Sequence, residues 1–172
     1  MEKQTKLKIV FFTLIIIAAS LIIANIIIFS NNTNNSSYTP YTPPIYTYEV
    51  LPLTVNETYE NIESWGCRGC AHVIDVRTVG EYEYMHMFIN NSKVNGPVNI
   101  DYSKDFSSAI ITYDNENNKY GAKHDTYFIY SKDGSRSALA SQWMIDNNFT
   151  VVYDMIGGLD EWFNTGLPLI EG

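Results

Sequence analysis

Between Lys8 and Ser30 the chain reads "IVFFTLIIIAASLIIANIIIF", 21 residues from Ile9 to Phe29 without a charge. At about 1.5 Å per residue, such a run in helical form spans the roughly 30 Å hydrocarbon core of a bilayer. It is longer than the apolar core of a secretory signal, and no A-x-A cleavage pattern follows it. It is apolar all round, which in a domain of this size argues against a helix of the core, where one face meets water. The expectation is an uncleaved transmembrane anchor, with a cleaved signal as the alternative. This feature divides the chain into residues 1–30 (a short N-terminus and the anchor), a linker over 31–47 and a folded domain over 48–172.

Charge sets the expected orientation. Lys3, Lys6 and Lys8 precede the span, and the next basic residue is Arg68. The positive-inside rule places the N-terminus in the cytoplasm and the domain outside. Setting aside Lys3, Lys6, Lys8 and Glu2 from the 11 basic and 19 acidic residues of the chain leaves 8 and 18. So acidic a domain offers no basic face to a nucleic-acid backbone. N-x-[ST] triplets at Asn31, Asn34, Asn35, Asn56, Asn90 and Asn148 agree with an outside location, although an Asn-rich chain contains many by chance. The stretch "SNNTNNSSYTPYTPPIYTYE" is nearly free of aliphatic residues and reads as an extended spacer.

From about residue 48 the pattern turns globular. "YEVLPL" is a short strand. Thr54 and Glu57 stand at capping-box spacing before a helix through about Ser64. "AHVIDVRT" (71–78) reads as a buried strand, "VGEYEYMHMF" as helix or turn, and "GPVNID" as a short strand. "DFSSAIITYD" has the spacing of an amphipathic helix. "DTYFIY" (125–130) is a strand, 136–147 a helix, "TVVYDM" (150–155) a strand and "LDEWFNTG" a last helix. Strands alternating with helices imply an α/β domain with a mainly parallel sheet.

The stretch "YFIYSKDGSRSALASQWM" carries the most chemistry. A strand runs into the polar loop Ser131, Lys132, Asp133, Gly134, Ser135 and Arg136, and the loop runs into a helix. Such a loop aims backbone N–H groups inward, and the helix N-terminus adds positive potential. Arg136 is placed to fork onto the oxygens of an anion; Lys132 adds charge and Asp133 removes it. A plain solvated βα connection is the competing reading.

"VIDVRTVGEY" (73–82), "NGPVNI" (95–100), "YFIYSKDGSRSALA" (127–140) and "VVYDMIGGLDEWFNTGLPL" (151–169) occur in one order at plausible intervals. Together they resemble the rhodanese-like domain, the fold of sulfurtransferases and related dual-specificity phosphatases. The resemblance covers roughly 49–172 and implies a three-layer α/β/α domain with the active loop at the C-terminal edge of a central strand. In active members a loop cysteine becomes a persulfide and passes its outer sulfur to an acceptor. That position falls on Ser131, and the loop closes at Arg136. Asp75, Arg77 and Glu81 match positions that are mostly structural in the family, tying the strand end to the next helix. His86 matches a recurring histidine, with Met85 in place of its usual glycine neighbour, and "NNSKV" looks like an insertion before Gly96.

Serine changes the chemistry. A thiolate forms S–S bonds and ionises near neutrality when a helix N-terminus and cations lower its pKa. A hydroxyl holds no sulfane sulfur and becomes a nucleophile only beside a general base. His124 precedes the strand, roughly 20 Å from Ser131 at about 3.3 Å per residue. The expected outcome is no persulfide chemistry at the loop, with binding of a small anion (sulfate, thiosulfate, phosphate) or a protein partner as the residual role. The alternatives are an active sulfurtransferase or thiol redox protein that uses Cys67 and Cys70, and a purely structural domain. No cofactor is implied.

"SWGCRGCAH" holds Cys67 and Cys70 as C-x-x-C with Arg68 between them. Three readings stand: a redox or sulfur-carrying pair, a metal site, and a local disulfide or plain thiol pair. With His72 the cluster offers three nearby ligands where zinc usually takes four, so no metal site is expected. Outside the cytoplasm a disulfide is permitted. The pair comes just before a strand, so it is expected at the sheet edge opposite Ser131, about 17 Å away across a five-residue strand.

Overall fold

The computed structural model describes residues 48–172. The expected anchor Ile9–Phe29 and the linker 31–47 lie outside them. No helix among the described residues is long and apolar enough to cross a membrane.

The chain runs β1 (Val50–Leu53), α1 (Val55–Ser64), β2 (Ala71–Asp75), α2 (Val79–Tyr84), β3 (Met85–Met87), β4 (Asn95–Asn99), α3 (Phe106–Asn117), β5 (Thr126–Tyr130), α4 (Ser135–Asp146), β6 (Val151–Met155), α5 (Gly158–Asn164) and β7 (Leu169–Glu171). Five strands form one sheet in the order β1-β6-β5-β2-β4, and every pairing in it is parallel. This is the mainly parallel α/β architecture expected from the alternation.

β5 shows why the sheet is central. All five residues of "TYFIY" are buried, yet they alternate between two cores. Tyr127 and Ile129 join Phe106 and Ile110 of α3 and Ala140 and Met144 of α4. Phe128 and Tyr130 join Val55 and Ile62 of α1 and Leu159 and Trp162 of α5. A strand covered on both faces reads as a continuous apolar run, as in parallel sheets generally.

Helix starts follow local chemistry. Thr54 and Glu57 form the capping box on α1, with the Thr54 amide donating to Glu57 Oε2 at 2.8 Å. A second box, Thr78 with Glu81, opens α2. At α4 the N-cap is Gly134 at φ 90, and the helix begins at Ser135, one residue before the expected start.

Two differences from the sequence reading have physical causes. The strand expected over 71–78 stops at Asp75, because the Arg77 amide and guanidinium both turn back onto the Asp75 carboxylate. "MHM" is not a continuation of helix or turn; it forms β3, antiparallel to β7 at the end of the chain. Three residues pairing with a segment more than eighty positions away leave no local pattern to read.

Candidate functional site

The parallel register delivers the ends of β2, β5 and β6 to one edge of the sheet. Asp75 pairs with Tyr130, and Ile129 with Asp154. Ser131 comes directly after β5 there and is fully buried. Its Oγ accepts the amides of Gly134 at 3.1 Å and Ser137 at 3.2 Å and donates to Ser137 Oγ at 3.4 Å. The loop therefore wraps around the atom at position 131. Two N–H groups pointing at that atom favour negative charge on it. Among the described residues no histidine or carboxylate bonds this hydroxyl. His86 Nδ1 lies 3.0 Å from the Tyr82 carbonyl, and its ring stacks on Tyr82. His124 lies before β5, at the other end of the strand.

The loop is held from below by the start of α5. Leu159 and Asp160 donate their amides to the Ser131 and Lys132 carbonyls, each at 2.8 Å. Gly158, at φ +62, makes this approach possible: a Cβ there would stand 2.5 Å from Lys132 O and 2.6 Å from Ser131 O. Gly158, the second of the glycine pair that marked the sequence, is thus the floor of the loop.

Arg136 differs from its expected role. Its guanidinium forks onto Glu81 rather than standing open, with Nη1 2.8 Å from Oε2 and Nη2 2.8 Å from Oε1. The Arg136 bond is the largest reason that the Glu81 carboxyl is drawn down to about 2, aided by the Thr78 amide and hydroxyl. Glu81 pulls Arg136 upward in turn. Glu81 therefore ties the start of α2 to the loop. Arg77 links the end of β2 to the start of β3: it grips Asp75 and donates to the Met85 carbonyl at 2.6 Å. Asp133 turns inward to its own loop: its Oδ1 accepts the Ser135 amide and hydroxyl, which lower its carboxyl below the usual range. Lys132 is exposed.

Sequence reasoning missed Ser137, which completes the wrap around Ser131, and Asp154 on β6. Asp154 is 8 % exposed. Burial raises its carboxyl, opposed by a hydrogen bond from Ser137. A serine three residues into a helix carries no signal until the loop is folded.

The sequence pattern of the rhodanese-like domain matches residues 54–165. The chain belongs to the rhodanese-like domain family. No curated protein matches it. Among solved structures it is similar to the polysulfide-sulfur transferase homodimer of Wolinella succinogenes, at 18% identity over 72% of this chain and 80% of that one, TM-score 0.54. It is also similar to the rhodanese-like domain of an Anabaena sp. protein, at 14% identity over 72% and 81%, TM-score 0.54. A Rhodopseudomonas palustris protein of unknown function, described as a possible tyrosine phosphatase, matches at 21% identity over 70% and 85%, TM-score 0.53. At these identities the likeness concerns the fold alone.

Cys67 and Cys70 lie at the other end of the sheet. Ala71 pairs with Thr126, whose amide donates to the Cys70 carbonyl at 3.0 Å. Their sulfurs are in contact, with Cα atoms 5.8 Å apart. His72 is turned away from them: its Nε2 meets Asp125 Oδ2 at 3.0 Å, and Nδ1 lies 3.1 Å from the Tyr113 hydroxyl.

Proposed function

We propose that this chain is a single-pass, membrane-anchored rhodanese-like domain, facing outward, that carries no ordinary sulfur transfer at Ser131. Its loop binds a small oxyanion weakly, or a protein partner presenting one, near the membrane surface. The observation that supports the loss of sulfur transfer is the Ser131 hydroxyl, buried at the focus of the Gly134 and Ser137 amides. An oxygen stands where the family's chemistry needs a sulfur, and its partners are amides and Ser137, none of which is a general base. The Arg136–Glu81 pair keeps the affinity low, since an arriving sulfate competes with a carboxylate already in the fork. The N-terminal anchor and the outward orientation rest on the uncharged run and the lysines before it.

The test is thiosulfate-to-cyanide sulfur transfer by wild type and by Ser131→Cys, with mass spectrometry of each. Wild type is expected to show no transfer that depends on residue 131, and Ser131→Cys to gain one sulfur atom at that residue. Transfer by wild type that disappears in Ser131→Ala refutes the reading; so does a Ser131→Cys protein that is folded but takes up no sulfur. Calorimetric titration with sulfate, thiosulfate and phosphate, repeated on Arg136→Ala, measures the binding arm. Absence of heat from all three refutes anion binding.

A further inference from the structure

The C-x-x-C turn lies about 17 Å from Ser131 across the five-residue strand β5 and has surroundings of its own. Cys70 is 4 % exposed, whereas Cys67 is half-buried and reachable. Each sulfur has its own donor. The indole N–H of Trp65 points at Cys70 Sγ at 3.3 Å. The Tyr120 hydroxyl lies 3.1 Å from Cys67 Sγ. The Lys119 ammonium is 3.8 Å from the same sulfur and is anchored by donating to the Arg68 carbonyl at 2.8 Å. Lys119 and Tyr120 come from a segment some fifty residues away. Asp125 pins that segment by accepting the Lys119 amide at 2.6 Å and the Tyr120 amide at 3.0 Å. Asp125 is in turn clamped to His72, both side chains being fully buried.

A purely structural role explains less of this. A bridge between residues three apart closes a very short ring and constrains the unfolded chain little. The turn is already fixed by the Gly69 amide on the Lys93 carbonyl at 2.7 Å and by Thr126 on Cys70. A cation and a hydroxyl held against the accessible sulfur, and an indole N–H against the buried one, stabilise thiolates. That is what both sulfurs become during exchange.

We propose that Cys67 and Cys70 form a second reactive site, a thiol–disulfide exchange pair whose substrate class is a dithiol or the corresponding disulfide. In the oxidising direction, a substrate thiolate attacks Cys67 Sγ. The Cys67–Cys70 bond breaks, and Cys70 leaves as a thiolate facing the Trp65 N–H. The second substrate thiolate then attacks the substrate sulfur of the mixed disulfide, and Cys67 leaves as a thiolate beside Lys119 and Tyr120. Two electrons pass from substrate to protein. The substrate gains one S–S bond, the protein loses one, and the two thiol protons end on Cys67, Cys70 or solvent. The reverse sequence reduces a disulfide. The ionisable groups at Cys67 are Lys119, Tyr120 and, within the turn, Arg68; Asp125 is occupied by two amides and His72.

The experiment uses the full chain in detergent micelles. The reduced protein is treated with iodoacetamide at pH 6.5, and the labelled cysteine is identified by mass. At about pH 6.5 a thiol about one unit more acidic than an ordinary one carries about nine-fold more thiolate and, after the fall in nucleophilicity, reacts about three-fold faster. Cys67 is expected to react at least that much faster than in the same chain unfolded in urea, and before Cys70. Lys119→Met and Tyr120→Phe are each expected to slow it toward the unfolded rate while both variants still unfold cooperatively in urea. In Cys70→Ser, an aromatic disulfide such as dithiobis-nitrobenzoate is expected to leave a trapped mixed disulfide on Cys67. Labelling of Cys70 first, a Cys67 rate equal to that of the unfolded chain, indifference to both variants, or no adduct on Cys70→Ser each overturns the proposal. None of these readouts involves Ser131, so failure here leaves the reading of the loop intact.

Discussion

Glu81→Gln tests how the loop is held and why its anion affinity is expected to be low. Glutamine keeps the shape of the capping box with Thr78 and removes the charge facing Arg136. The drop of the Glu81 carboxyl from 4.5 to about 2 corresponds to about 3 kcal/mol. Part of it belongs to Thr78, which glutamine retains. The two side chains are 31% and 27% exposed, so solvent screens what remains. The expected loss of stability at pH 7 is about 1–2 kcal/mol, read from urea denaturation. The sign comes from the depressed carboxyl. The contribution is complete above the unfolded value of about 4.5 and fades as pH falls from there towards 2. The gap between wild type and Glu81→Gln should therefore close over that window, other carboxylates cancelling in the difference. The same substitution releases the guanidinium, and sulfate affinity should rise by up to about 5–30-fold. A gap that is absent or stays constant down to pH 2, with sulfate binding unchanged, refutes the claim that Glu81 occupies the fork.

Two further substitutions probe what surrounds the loop. Gly158→Ala places a Cβ against the Ser131 and Lys132 carbonyls in a left-handed backbone; it should cost about 2–5 kcal/mol in urea denaturation. A loss below about 0.5 kcal/mol would mean that the floor of the loop yields easily. Asp154→Asn removes a carboxyl that burial holds above its ordinary range, one of whose oxygens has no hydrogen-bond partner among the described residues. Because the folded value is raised, the aspartate costs stability as pH rises past about 4. The variant should be more stable than wild type at pH 7 and equal to it below about pH 4. A variant less stable at pH 7 would show that the charge is compensated.

Much of the fold is legible in the sequence because the signals are local. The aromatic and β-branched run of β5, the Thr54–Glu57 box and the glycine pair before Trp162 each announce their element within a few residues. The position of Ser131 comes from the order of such segments, and the parallel register explains why the cysteine turn appears at the opposite edge. The hidden part is made of long-range pairs. Arg136 finds Glu81 across 55 positions, and Cys67 meets Tyr120 across 53. The strand pair β3–β7 has the same origin. A charge in a loop advertises its sign but not its partner, so the fork on Arg136 reads as open when it is filled.

Because all five strands of the main sheet run the same way, the domain has two unlike poles. One gathers the ends of the strands and their amide-lined loop; the other gathers the beginnings, with sulfur, indole and ammonium together. Changes made at one pole should add to those made at the other, as distant sites generally do. The two can be blocked, swapped or repaired separately, and a double variant that departs from additivity would reveal communication through β5 itself.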